Sequence, residues 1–264
     1  MGVPHLPIPT LPPLPSLPPL WREGRIALEW AELRRSAVLR GAGVPQGDGR
    51  GVLLIPGFMA GDGSLGTMTH WLRAAGWHTR RAGIRANVDC SEVACRRIET
   101  RLETLAERTG GRVAIIGQSR GGVFAKALGA RRPDLVSGVV TLGAPINGQL
   151  AVHPLVLVQV GLIAALGTGR VPGLFSWRCL RGECCGDFRA ALAGPFPGDV
   201  GYLALHSRSD GVVDWRSCVD PTADDNLEVT SSHCGMSLNA GVFRAVAGAL
   251  HRFATAEPSA ARAA

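Results

Sequence analysis

The sequence predicts an α/β domain: a mainly parallel sheet with helices on both faces. Three observations predict it. From residue 50 onward, short continuous apolar runs, suited to strands buried on both sides, alternate with longer stretches of helical period. Glycine and proline punctuate the changes, and 35 glycines in 264 residues suit a fold with many tight strand–helix turns. A chain of this length fits one domain and can bury roughly three quarters of its unfolded surface, so a large core needs no staples.

The elements follow in order. Residues 1–49 read as a Pro-rich segment plus an amphipathic helix. The Leu-Pro repeat from Pro4 to Pro19 predicts extended polyproline II. Residues 21–40 predict a helix with Ile26, Trp30, Leu33 and Ala37 on one face. That helix could dock on the core or lie on a membrane surface; Glu23, Glu29 and Glu32 dilute its basic face and favour docking. Gly41 to Arg50 reads as a linker.

The main domain is expected over 50–255. Its strands are expected at Gly51–Ile55, Trp77–Ile84, Arg112–Ile116, Gly138–Leu142, Tyr202–His206 and Leu227–Thr230. Helices are expected at Leu65–Gly76, from a Ser91 cap to about Arg108, at Gly121–Ala130 and at Met236–Phe253. Gly110 and Gly111 should stop the second of these. Residues 146–196 form an apolar, Gly/Pro-broken insertion that suits a lid or cap. Residues 256–264 are expected to be a disordered tail.

Composition excludes several classes. The formal charge of +7 is almost wholly arginine, with Lys126 the only lysine, and the arginines are scattered. With a single tyrosine, a base-stacking platform is poorly supplied, so nucleic-acid binding is not expected. Seven cysteines cannot all pair within one chain. The spacing of Cys179, Cys184 and Cys185 matches no strong zinc signature. Cys218 and Cys234 could form a disulfide or stay free. No secretory signal is predicted, and the longest apolar stretch, Ala151 to Leu166, is interrupted by His153, Pro154, Gln159 and Gly161. A cytoplasmic protein is expected, with residues 1–40 the segment able to make peripheral membrane contact. Nothing in the sequence indicates oligomeric state.

The chemistry is carried by Gly117-Gln118-Ser119-Arg120-Gly121, a G-x-S-x-G placed between an expected buried strand and an expected helix. Such a turn strains the serine backbone and aims its Oγ out of the sheet end. A serine hydroxyl needs a base to become nucleophilic. The order serine, acid, histidine points to Asp210, which follows a strand and precedes Gly211, with Asp214 in reserve, and then to His233 in a short polar loop. His206, His153 and His251 are poorer candidates by position. An oxyanion hole would take the backbone N–H of Arg120 and one from the Pro56-Gly57-Phe58 turn, best Phe58.

These pieces resemble the lipase/esterase-like α/β hydrolases, especially bacterial ones related to triacylglycerol lipases. The matching segments are Leu54–Phe58, Ile116–Gly122, Val140–Pro145, Ser209–Val213 and Ser232-His233, spanning about residues 50–250. The resemblance implies a Ser119–Asp210–His233 triad, oxyanion donors at Phe58 and Arg120, and hydrolysis of a small-molecule acyl ester with no cofactor and no metal. The chain departs from such lipases at Pro56, where they carry His, and at Arg120, where small or apolar residues are common. An acyltransferase or thioesterase on the same triad, or a non-catalytic binding protein of the same fold, are the alternatives. Leu155, Val156, Leu157, Val160, Leu162 and Ile163 are expected either to line an acyl pocket or its lid, or to be plain core.

Overall fold

The computed structural model describes residues 19–256. The polyproline expectation and the disordered-tail expectation lie outside the described residues, apart from Pro19 and Ala256.

The chain enters through a short 3-10 turn, Leu20–Arg25, into helix α1, Ile26–Arg35. It then alternates: β1 Gly51–Ile55, α2 Gly66–Ala74, β2 His78–Arg81, α3 Ser91–Thr109, β3 Val113–Gln118, α4 Arg120–Arg131 and β4 Val136–Leu142. The insertion carries α5 Pro154–Thr168, α6 Trp177–Arg181 and α7 Gly186–Ala193. β5 Gly201–His206, β6 Asp225–Glu228 and α8 Ala240–Ala256 complete the order.

Among the described residues six strands pair in parallel, in the spatial order β2-β1-β3-β4-β5-β6. Strand order reverses beside β1, which sends its successor outward on one side while β3 lies on the other. The crevice at the carboxyl ends of β1 and β3 is where an open α/β sheet accepts ligands. The central strands β1, β3 and β4 are buried along their whole lengths, so each face needs a helical layer. On one face Leu33, Trp71, Leu72, Phe243 and Leu250 close over the sheet from α1, α2 and α8. On the other, Ile98, Leu102, Leu105, Phe124 and Leu128 do so from α3 and α4.

Several boundaries differ from the sequence reading. Ser91 is the first residue of α3, and Cys90 stands at the cap, its carbonyl accepting from the Ala94 N–H. Gly110 ends α3 in the left-handed region at φ 66°, as a C-terminal glycine should. The closing helix is divided: a 3-10 turn, Cys234–Leu238, precedes α8, and the Asn239 side chain accepts from the Gly241 and Val242 N–H groups to start it. On α1 the buried residues are Leu33 and, unexpectedly, Glu29, while Trp30 is turned outward. The helix docks through a carboxylate because the surface it meets presents N–H and O–H donors.

The insertion is not one uniform cover. Its first arm is pinned beside the turn after β5 by a bridge between Val152 and Val213, and the His153 N–H donates to the Val212 carbonyl. Its last helix, α7, is docked: Phe188 packs against Phe124 at 5.4 Å between ring centroids, and its N–H donates to Glu92. Between them α5 is apolar all round, with Ile163 and Ala164 buried and Leu155, Val158 and Leu162 exposed at 59, 68 and 61%. Among the described residues no helix is long and apolar enough to cross a membrane.

Candidate active site

Ser119 sits at the junction of β3 and α4 with φ 52° and ψ −124°, a backbone conformation that costs a non-glycine residue energy. Its neighbours make that turn feasible. A Cβ on Gly121 would overlap the Ile55 and Pro56 carbonyl oxygens, and one on Gly117 would overlap the Gly121 carbonyl. The turn is closed by the Ser119 N–H, which donates to the Leu142 carbonyl at 2.8 Å, and by the Gly122 N–H, which donates back to Ser119 O at 2.8 Å. Ser119 is half-buried and opens onto a cavity of about 1050 Å³.

His233 lines the same cavity. Its Nδ1 lies 2.6 Å from Asp210 Oδ2, and both side chains are nearly sealed from solvent. Asp210 is itself held by two backbone donors, the Val212 and Val213 N–H groups at 2.8 and 2.7 Å to Oδ1. Burial works against a charged His233 ring, but the Asp210 charge and hydrogen bond outweigh it, and the imidazole is raised above its ordinary value. Asp214, the reserve acid, instead accepts from the Arg216 N–H at a 3-10 turn and pairs with the Arg216 side chain. His206 is buried and stacked on Trp215, His153 accepts from the Leu155 N–H at the start of α5, and His251 is exposed on α8.

The turn after β1 lies against the elbow. A Cβ built on Gly57 would stand 3.2 Å from Ser119 Cβ and 3.8 Å from its Oγ. Phe58 lines the cavity next to it, and Arg120 opens α4, where a first-turn N–H has no intrahelical acceptor. Sequence reasoning missed Asn87, which organises this turn. Its side-chain amide donates to the Pro56 carbonyl at 2.8 Å, and its backbone N–H donates to the Ala60 carbonyl.

Arg120 explains its own departure from small residues. Its guanidinium donates to the carbonyls of Asn87 and Asp89 and to Ser91 Oγ, at 2.8, 2.6 and 3.1 Å. It is held between the rings of Phe124 and Phe175, 5.2 Å from each centroid. Burial lowers its pKa to about 10, so it stays a cation at neutral pH. The side chain ties the Asn87–Ser91 loop to the elbow.

Two further carboxylates escaped the sequence reading. Glu23 Oε1 accepts from the His233 and Gly211 N–H groups, at 2.8 and 3.0 Å, and Oε2 accepts from the Cys234 N–H at 2.9 Å. Glu29 accepts from the Ser232 N–H at 2.7 Å and from the hydroxyls of Ser231 and Ser232. From the other side, Gln118 Nε2 donates to the His233 carbonyl at 3.0 Å. The backbone of the histidine loop is thus fixed by side chains from the N-terminal segment and from the end of β3. No local pattern marks a glutamate for such a role.

Of the six apolar residues expected at the pocket, in its lid or in the core, Val156 and Val160 line the cavity. Leu155, Leu157 and Leu162 face outward, and Ile163 is buried against Phe175. The remaining wall includes Phe58, Phe175, Leu180 and Phe188. Cys218 and Cys234 are both free thiols, the first buried and the second exposed.

No family model and no curated protein sequence matches the chain. Solved structures do. The mature lipase BlEst2 of Bacillus licheniformis aligns with a TM-score of 0.58 at 13% identity, covering 78% of this chain and 94% of its own. The metagenomic carboxyl esterase MGS0156 aligns at 0.56 and 15% identity, covering 90% of both chains. A soluble variant of monoglyceride lipase from Saccharomyces cerevisiae aligns at 0.53 and 17% identity, covering 81% of this chain and 89% of its own. At such identities the likeness is one of architecture. The chain has the α/β-hydrolase fold, as those lipases and esterases do.

Proposed function

We propose that this protein is a serine hydrolase that cleaves carboxylic esters through an acyl-enzyme. Ser119 is the nucleophile. His233 takes its proton during attack and returns it to the leaving alcohol. Asp210 holds the imidazole in the tautomer that leaves Nε2 free to accept, and stabilises the imidazolium that forms. The oxyanion of the tetrahedral intermediate is placed on the backbone N–H groups of Phe58 and Arg120. Water, activated by the same imidazole, then releases the acid. No cofactor takes part in these steps.

One observation carries the reading: His233, paired at 2.6 Å with the buried Asp210, shares a cavity with a serine held at φ 52°. The apolar wall of that cavity favours an ester whose acyl part is hydrocarbon. The α5–α6 arch is the segment assigned to cover it.

Two assays test this. A fluorophosphonate probe should label wild type at Ser119, and p-nitrophenyl esters should be hydrolysed. The S119A and H233A variants should lose both, with kcat down by about 10⁴-fold or more. An S119A protein that keeps its esterase activity overturns the assignment.

A further inference from the structure

The fold brings four cysteines to one point. Cys90 stands at the cap of α3, Cys179 lies in α6, and Cys184 and Cys185 lie in the turn into α7. Their four sulfurs all lie within 4.8 Å of one another. Cys90 Sγ is 3.7 Å from Cys184 Sγ and 3.6 Å from Cys185 Sγ, Cys184 and Cys185 are 3.7 Å apart, and Cys179 and Cys184 are 3.2 Å apart. Four thiolates around one zinc ion at about 2.3 Å sit at the corners of a tetrahedron whose edge is about 3.8 Å. The sulfurs already approximate that tetrahedron.

We propose that Cys90, Cys179, Cys184 and Cys185 form a closed four-thiolate site for one zinc ion, which fastens the insertion to the core beside the substrate cavity. Binding would form four Zn–S bonds as four thiols release their protons to solvent, with no change of oxidation state. A polynuclear iron–sulfur cluster needs its thiolates much farther apart than near contact. Four protein ligands leave no open position, so the ion's role is structural.

The surroundings fit a negatively charged centre. The Ser176 N–H points at Cys179 Sγ at 3.4 Å, the kind of outer contact that fixes a metal thiolate. The Arg120 guanidinium, bonded to the carbonyls of Asn87 and Asp89 just before Cys90, puts a fixed positive charge alongside. Cys179 and Cys185 also line the cavity, so the ion would stiffen its wall. No local spacing reveals the site, because Cys90 comes from a different part of the chain than the other three.

The test needs no activity and stands apart from the hydrolase assignment. Full-length protein purified under reducing conditions, without chelator, should contain about one zinc per chain by mass spectrometry of the elements. C90S and C184S should each lose it. A C218S/C234S double variant, which touches the two cysteines outside the cluster nearest the proposed triad, should keep it. Metal-stripped wild type titrated with Co²⁺ should show sulfur-to-cobalt charge-transfer absorption and intense tetrahedral bands. That measurement needs no variant, so it decides the question even if C90S fails to fold. The proposal is overturned if reduced wild type takes up neither Zn²⁺ nor Co²⁺, or if C90S and C184S retain full zinc. It is equally overturned if peptide mapping of the native chain finds disulfides among Cys90, Cys179, Cys184 and Cys185.

Discussion

Glu23 accepts a hydrogen bond from the backbone N–H of His233 at 2.8 Å, across 210 positions of sequence. The same carboxylate oxygen takes the Gly211 N–H, next to Asp210, so one side chain gathers the loops of both the base and its acid. Hydrogen bonds to a charged group contribute about 1.5–3 kcal/mol each. We expect E23A to lower kcat about 10- to 100-fold with KM little changed, while E23Q, which keeps an accepting oxygen, recovers part of the loss. Steady-state kinetics on one p-nitrophenyl ester would check this; an E23A enzyme with wild-type kcat would show the clamp to be idle.

The raised His233 imidazole has a sign that can be measured. The general base works only when neutral, so activity falls as pH drops through its pKa. Because Asp210 lifts that value above the ordinary imidazole range, the acid limb of kcat/KM should lie above about pH 6.5. In D210N the limb should move to lower pH and kcat should fall by about 10⁴-fold. An unmoved limb in D210N would mean that another group sets it.

Val160 faces the cavity from α5. Filling that space with V160W should cost long acyl chains more than short ones. The ratio of kcat/KM for p-nitrophenyl decanoate over acetate should drop about tenfold. An unchanged ratio would place the acyl chain elsewhere.

Lys126 and Asp220 form a buried ion pair at 2.6 Å, their side chains 4 and 1% exposed, and the Tyr202 hydroxyl also donates to Asp220. Burial alone would raise the Asp220 pKa, but Lys126 and Thr222 lower it overall. Removing one partner strands the other charge, at a cost of about 3–5 kcal/mol. K126M should therefore melt about 10 °C or more below wild type at pH 7. A depressed carboxylate stabilises the fold above its unfolded pKa, near 3.9, and loses that contribution as pH falls through the folded value. The deficit should accordingly narrow on acidification, which thermal melts across that range would follow.

The legible and illegible parts of this molecule divide along physical lines. Gly51–Ile55 is readable in full, and Gly138–Leu142 as the greater part of β4, because strands buried on both faces tend to be short apolar runs. The elbow is readable because its sterics demand glycine at fixed offsets from Ser119. By contrast, β6 is expected at Leu227–Thr230 and lies at Asp225–Glu228, since an edge strand carries little apolar signal. Glu23, Glu29 and Asn87 act through long-range contacts to backbone groups, and a backbone N–H leaves no trace in the residue type that carries it. Arg120 looks out of place in sequence only because the aromatic slot that receives it is built partly by Phe175, far downstream.

The reach from Glu23 to the His233 loop also bears on the order in which the protein matures. A parallel sheet already closes long loops, and its core is expected to form slowly. The clamp joins segments more distant still, so it can engage only after β5 and β6 have settled. Refolding should then pass through a species whose core tryptophans, Trp71 and Trp77, are buried but which turns over substrate no faster than E23A. Return of catalysis should trail return of fluorescence by a distinct phase, and that lag should vanish in E23A.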